Sequence, residues 1–326
     1  MQDVVSLCKS NGIGAMRIYY PDHAILQALQ GSGIRLILGV PNDNILSIGS
    51  NPSEATRWVQ ANVIPYASSI KYIAVGNEVS MDSPQAALVG PAMQNVLNSL
   101  NSANLGGKIK VTTAISTSLV INGYPPSDGT FTNMGFMGPV SNFLESNGSP
   151  LLLNVYTYFA YATSTMGNGN IDLNYALFTS PEPLFTDPNN GLRYQNLFDA
   201  LVDATYAALY RVGAHHTRIW VSESGWPSKG GFGSLAHYNN GGDGATLHNA
   251  GTYYRNLIKH VKQGTPLRPG EAIETYLFEL FDEDQKPGGV VEQHFGVFTP
   301  DQKLKYPGLF APIQKPKYDV CFKRRH

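Results

Sequence analysis

Two glutamates carry the chemistry this chain can do. Glu223 stands in Ile219-Trp220-Val221-Ser222-Glu223-Ser224-Gly225-Trp226-Pro227-Ser228, where an apolar β-type run delivers a carboxylate and Gly-Trp-Pro stops the strand. Proline supplies no backbone donor and glycine frees the backbone, so the chain must turn there. Glu78 stands in a second stretch of the same design, Tyr72-Ile73-Ala74-Val75-Gly76-Asn77-Glu78-Val79. Taken singly, a strand-end glutamate reads equally as a cap for the next helix. Two stretches of one design point instead to paired-carboxylate chemistry. Hydrolysing a glycosidic bond takes one carboxylic acid to protonate the leaving oxygen. It also takes one carboxylate to attack the anomeric carbon or to activate water.

Other residues can assist such a pair. Asn77 is a neutral hydrogen-bonding group suited to a sugar 2-hydroxyl, or else a turn residue closing its strand. A late acidic cluster comprises Glu274 and then Phe281-Asp282-Glu283-Asp284-Gln285-Lys286. A carboxylate and a lysine beside a proton donor tune it by charge, though the same residues also make ordinary salt-bridged loops. Glu274 begins a strand and Glu283 follows it, so the two are expected at opposite ends or faces. Tyr156, Tyr158, Phe159 and Trp226 offer aromatic faces for stacking on sugar rings, with core packing as the alternative. The doublet His215-His216 has no carboxylate or cysteine at ligand spacing, so no metal site is expected. No Gly-x-Ser-x-Gly elbow, phosphate loop or dinucleotide fingerprint occurs in a strand-to-helix context.

Short buried strands alternating with amphipathic helices must position these groups. Strands are expected at Met16–Tyr19, Arg35–Val40, Lys71–Val75, Ile109–Ala114 and Leu151–Val155, then around Glu223 and at Thr275–Phe278. Helices are expected around Val4–Cys8, Ile25–Leu29, from Asn51-Pro52 to Pro65, Met93–Leu100, Leu197–Leu209 and Tyr253–Val261. Alternation along the whole chain argues for one parallel α/β barrel over residues 1–312, followed by a tail at 313–326. Seven strands are visible, and an eight-stranded (β/α) barrel places one more before Met1. Glu78 and Glu223 then open into the same C-terminal crevice.

Composition narrows the partners. Of 326 residues only 14% are charged and the formal net charge is −1, which gives no electrostatic case for nucleic acid or an anionic membrane. No segment reaches the apolar length of a membrane span. A surface rich in Gly, Tyr, Asn and Ser suits an uncharged, hydroxylated ligand. Cys8 and Cys321 lie at opposite ends of the chain and can pair only if the termini meet, so lone buried thiols are expected. Asn147-Gly148-Ser149 is an acceptable glycosylation sequon followed by Pro150. The opening Met1-Gln2-Asp3 runs straight into an amphipathic segment without a signal peptide.

The stretches Met16-Arg17-Ile18-Tyr19, Tyr72 to Val79, Asn154-Val155-Tyr156, Val221 to Ser228, and Glu274-Thr275-Tyr276 through Gln285-Lys286-Pro287 resemble the plant endo-β-1,3-glucanases of glycoside hydrolase family 17. The likeness runs from about Asp3 to Phe310. It implies a (β/α)8 TIM barrel lacking its first strand and retaining endo-hydrolysis of β-1,3-glucan such as callose or fungal wall glucan. It also implies no cofactor, a monomer, and a secreted or vacuolar location. Motif match makes Glu78 the acid/base and Glu223 the nucleophile. The expected substrate-contacting set is Tyr19, Asn77, Tyr156, Tyr158, Phe159, Trp226, Glu274, Phe281, Glu283 and Lys286. A related β-1,3;1,4-glucanase and an inactive, truncated glucan-binding barrel are the alternatives. Departures from the family pattern are the absent opening strand, Glu279 at a usually small apolar position, Thr157 in place of proline, and a long loop from Gly230 to Gly244.

Overall fold

The computed structural model describes residues 1–166, 171–231 and 244–310. Its frame is a seven-stranded parallel sheet: β1 (Ala15–Ile18), β2 (Arg35–Val40), β3 (Ile70–Asn77), β4 (Lys110–Ser116), β5 (Leu151–Asn154), β6 (Ile219–Ser224) and β7 (Thr275–Leu277). The strands lie side by side in chain order. This is the seven-strand barrel expected from the sequence, with each strand within a few residues of its expected place.

Alternation within each strand builds two cores. Ile37 of β2, Tyr72 and Ala74 of β3, Ala114 of β4, Leu152 of β5 and Tyr276 of β7 point inward and form one apolar cluster inside the barrel. Their neighbours Leu36, Leu38, Ile73, Val75, Leu151 and Leu153 point outward and pack in the larger cluster under the helices. With both faces covered, the strands read as nearly unbroken apolar runs.

The helices follow equally local signals. The helix Pro52–Asn62 starts where Asn51 accepts a bond from the Ser53 amide and proline takes the first turn. The helix Met134–Asn147 was not foreseen, because Gly135, Gly138 and Pro139 break its helical pattern. The Asn133 cap on the Phe136 amide and the left-handed Gly148 hold its two ends. Asn147 closes this helix with its amide on the Phe143 carbonyl, and Ser149 is buried, so the sequon is not displayed on a loop. The aromatic stretch after β5 is also helical, Thr157–Met166, and buried Thr157 bonds the Ala176 carbonyl.

Among the described residues, β1 and β7 form no ladder with each other. Each has one paired edge and one open edge. Between them runs a seam with a cavity of about 870 Å³, lined by Cys8, Ile13, Met16, Tyr276, Phe278 and Glu279 among others. Cys8 is a buried free thiol whose burial pushes its pKa up to about 11. Cys321, the tail from 313, and most of the loop from Gly230 to Gly244 lie outside the described residues.

Candidate active site

Register breaks at the carboxyl ends of the strands aim the two glutamates. The β3–β4 pairing slips between Ala74 and Asn77, and the β5–β6 pairing slips between Val221 and Glu223. Such bulges re-aim side chains beside active sites. At the first slip the backbone leaves the ordinary range: Gly76 has φ +77° and Glu78 φ +46°. A Cβ on residue 76 would lie 2.7 Å from Val79 and 2.8 Å from Ile45, so glycine is required there. A left-handed glutamate costs roughly 1–3 kcal/mol, a strain that concentrates at functional sites. At the second slip, a Cβ on Gly225 would stand 2.1 Å from the Phe278 carbonyl oxygen, which explains glycine directly after the strand.

One buried polar network joins both carboxylates. Arg17 of β1 donates Nη1 to Glu223 Oε1 at 2.8 Å and to Asn154 Oδ1 at 3.1 Å, and Nη2 to Asn77 Oδ1 at 2.7 Å. Asn154 of β5 donates Nδ2 to Glu78 Oε1 at 2.9 Å and to Asn77 Oδ1 at 3.1 Å. Ser222 donates to Asn154 at 2.7 Å. Asn42 clamps the Asn77 backbone from both sides, accepting its amide at 2.8 Å and donating to its carbonyl at 2.9 Å. Charge-assisted bonds of this kind fix position tightly in a low-dielectric site.

The two carboxylates have different surroundings. Glu223 is buried and accepts from Arg17, from the Tyr19 hydroxyl at 2.7 Å and from the Tyr156 hydroxyl at 2.6 Å. All three partners donate, so the group is held as an acceptor. Burial and the adjacent Glu223 charge push both tyrosine hydroxyls well above their usual range, so they stay donors. Glu78 has a raised pKa: burial lifts it, the Asn154 bond opposes, and the Glu223 charge lifts it further. One group is therefore tuned toward holding a proton, and the other is tied among donors.

Hydrogen-bond partners of Glu223 line two open hollows: Tyr156 lines the first, and Arg17 and Tyr19 the second. One of about 620 Å³ is lined by Ser116, Thr117, Ser118, Tyr156, Phe159 and Ser164. The other, about 290 Å³, is lined by Tyr19, Tyr20, Asn42, Asp43 and Asn77. Hydroxyls, amides and ring faces make up these walls, an arrangement suited to an extended neutral saccharide.

Several expected contacts land elsewhere. Trp226 is fully buried, edge-on to Tyr158 at 5.2 Å and tied through Nε1 to the Gly244 carbonyl at 2.9 Å, so it is core rather than a sugar platform. Tyr158 is also fully buried. Glu274 lies at the amino end of β7, paired with Lys71 at 2.6 Å and with the Tyr276 hydroxyl at 2.8 Å. Glu78 and Glu223 stand at the opposite, carboxyl end of the strands. Phe281 lines the seam and packs on Phe298 at 6.1 Å. Glu283 and Lys286 do pair, at 3.1 Å, and the Lys286 ammonium stands 5.0 Å over the Phe278 ring. Phe278 in turn meets Tyr156 edge-on at 5.8 Å, so the ion pair borders the cleft wall. Burial lowers the Lys286 pKa, but the Glu283 bond and the charges of Glu279, Glu283 and Glu292 outweigh it and raise it.

The chain is similar to proteins already described. The glycosyl hydrolases family 17 pattern matches residues 1–310. The chain belongs to this family. A glucan endo-1,3-beta-glucosidase of Vitis vinifera is 51% identical over 94% of this chain and 87% of its own length. The acidic isoform of Zea mays is 52% identical over 95% of this chain and 87% of its own. Among solved structures, CJP38, a beta-1,3-glucanase and allergen of Cryptomeria japonica pollen, superposes with a TM-score of 0.86 at 43% identity, covering 95% of this chain and 94% of that one. A plant beta-glucan endohydrolase, one of two solved together for their distinct substrate specificities, gives a TM-score of 0.85 at 43% identity over 94% of both chains.

Within this family 17 chain, the sequence pointed to the carboxylates but not to what holds them. Arg17, Asn42, Asn154 and Ser222 were not among the expected site residues. Arg17 and Asn154 do have a local signal, a polar residue at an inward position of an apolar strand. Such a residue needs a buried partner, and only the barrel names it.

Proposed function

We propose that this chain hydrolyses β-1,3-glucan at internal linkages with retention of anomeric configuration. The observation that carries this reading is the convergence of Glu78 and Glu223, from strands far apart in the chain, on the Arg17–Asn77–Asn154 network with dissimilar surroundings. Glu78, with its raised pKa, protonates the glycosidic oxygen as the bond to the anomeric carbon breaks. Glu223 attacks that carbon and forms a glycosyl ester. Water then attacks the same carbon, giving a proton to the Glu78 carboxylate while the bond to Glu223 breaks. Two displacements restore the original configuration. Tyr19 and Tyr156 position Glu223, and the Asn77 side-chain amide donates to the 2-hydroxyl of the reacting sugar.

The names of the relatives favour β-1,3 linkages over mixed-linkage glucan. Action as a monomer without a cofactor rests on the family resemblance. Among the described residues no helix is long and apolar enough to cross a membrane, and the family resemblance supports a secreted or vacuolar enzyme. Reducing-end release from laminarin, with Glu223→Gln as control and a mixed-linkage glucan as competitor, tests the proposal. Equal release by the wild type and Glu223→Gln would remove Glu223 as nucleophile.

A further inference from the structure

An aromatic surface outside the cleft is built for the same kind of ligand. The loop leaving β4 first lines the larger hollow with Ser116–Ser118 and then forms a two-stranded ribbon, Val120–Ile121 with Thr130–Phe131. Tyr124 lies between those two strands and is 77% exposed, the most exposed large apolar side chain among the described residues. Its ring presents a large apolar face to solvent.

The ring is nonetheless held in place. It packs on Phe185 with centroids 4.4 Å apart, and Phe185 stacks on Tyr194 at 6.4 Å with 27° between planes. Tyr194 is buried and anchors its hydroxyl on Asp203 at 3.1 Å. The three rings form a column rooted in the core with its outermost face open to solvent.

The two loops supplying the column are pinned together. Buried Asp187 accepts the Ser127 amide and hydroxyl, each at 2.9 Å, and the Asn189 side chain donates to Ser127 and Asp128. Asp128 is offset by Arg211 at 3.7 Å, so the surroundings are polar without a strong net charge. A preorganised ring face flanked by hydroxyl and amide groups suits the C–H face of an uncharged pyranose. It does not suit an ionic partner.

We propose that Tyr124, backed by Phe185, is an accessory binding site for a glucosyl stretch of the β-glucan polymer, outside the catalytic cleft. The chain leads directly from the cleft wall at Ser116–Ser118 to this platform, and a polymer is longer than the cleft that cuts it. The inference rests on the β-glucan reading above.

Its test is retention on insoluble β-1,3-glucan together with turnover of a soluble β-1,3-linked glucose hexamer. Tyr124→Ala is expected to weaken retention roughly three- to tenfold, the range for loss of one stacked ring, with hexamer turnover within about twofold of wild type. Tyr124→Trp is expected to restore retention. Equal retention by wild type and Tyr124→Ala, with the hexamer still cut, overturns the platform and leaves the glucanase reading standing. Failure of the wild type to cut or bind any β-1,3-glucan overturns both.

Discussion

Asn154 donates its side-chain amide to Glu78 at 2.9 Å, and the carbonyl end of the same amide accepts from Arg17, which pairs with Glu223. A single planar group thus sets the spacing and orientation of both carboxylates. Replacing it with alanine leaves Arg17 and Glu78 each short of a buried partner. Asn154→Ala is expected to lower kcat by about 100-fold through misplacement alone. The bond also opposes the rise in the Glu78 pKa, so its loss should move the alkaline limb of kcat/KM to higher pH. An unshifted limb would argue against Glu78 as the acid.

Glu223→Gln keeps the shape of the site and removes the carboxylate proposed as nucleophile. Turnover of laminarin should fall by at least about 10⁴-fold, the scale seen when a nucleophilic machine loses an essential member. Oligosaccharide binding, read by calorimetry, should remain within a few-fold of the wild type. Loss of binding in parallel with turnover would assign Glu223 to holding substrate instead.

Glu279 is a half-buried acid whose Oε1 is buried without a partner. Burial, then its bond to Glu283, pushes its pKa from 4.5 to about 9. The folded protein therefore keeps a proton that the unfolded chain releases above pH 4.5, and stability falls as pH rises from 4.5 toward about 9. Glu279→Gln removes that loss. Thermal melts should show the variant more stable at pH 8 by about 2 °C or more, the equivalent of about 1 kcal/mol or more, and indistinguishable at pH 4. A gain of equal size at both values would mean that charge is not the cause.

Trp226 should behave as a core residue. Trp226→Ala is expected to cost about 3–5 kcal/mol of stability through the cavity it leaves. Denaturant unfolding measures this directly. A variant that unfolds like the wild type but has a raised KM would return Trp226 to the substrate cleft.

The seam makes its own prediction. Amides of β1 and β7 that face it have no ladder partner among the described residues, whereas β3 and β4 are paired on both edges. Hydrogen exchange should be faster for those seam-facing amides than for the central strands. Equal protection across all seven strands would show that the open edges are covered.

The sequence by itself determined the strands, their order of appearance and the two glutamates, because these rest on local signals. A run of apolar residues ending in Asn-Glu-Val or Glu-Ser-Gly-Trp-Pro needs no distant partner to be read. Parallel strands joined by helices then leave one end of the sheet for chemistry. What tertiary structure decided was which polar and aromatic residues face that end. Trp226 lies close to Glu223 in sequence yet turns into the core, while Arg17, more than two hundred residues away, reaches the Glu223 carboxylate. Glu274 shares a strand with the site but marks its far end. Burial and hydrogen-bond partnership depend on contacts between strands that the chain separates widely, and no local pattern encodes them.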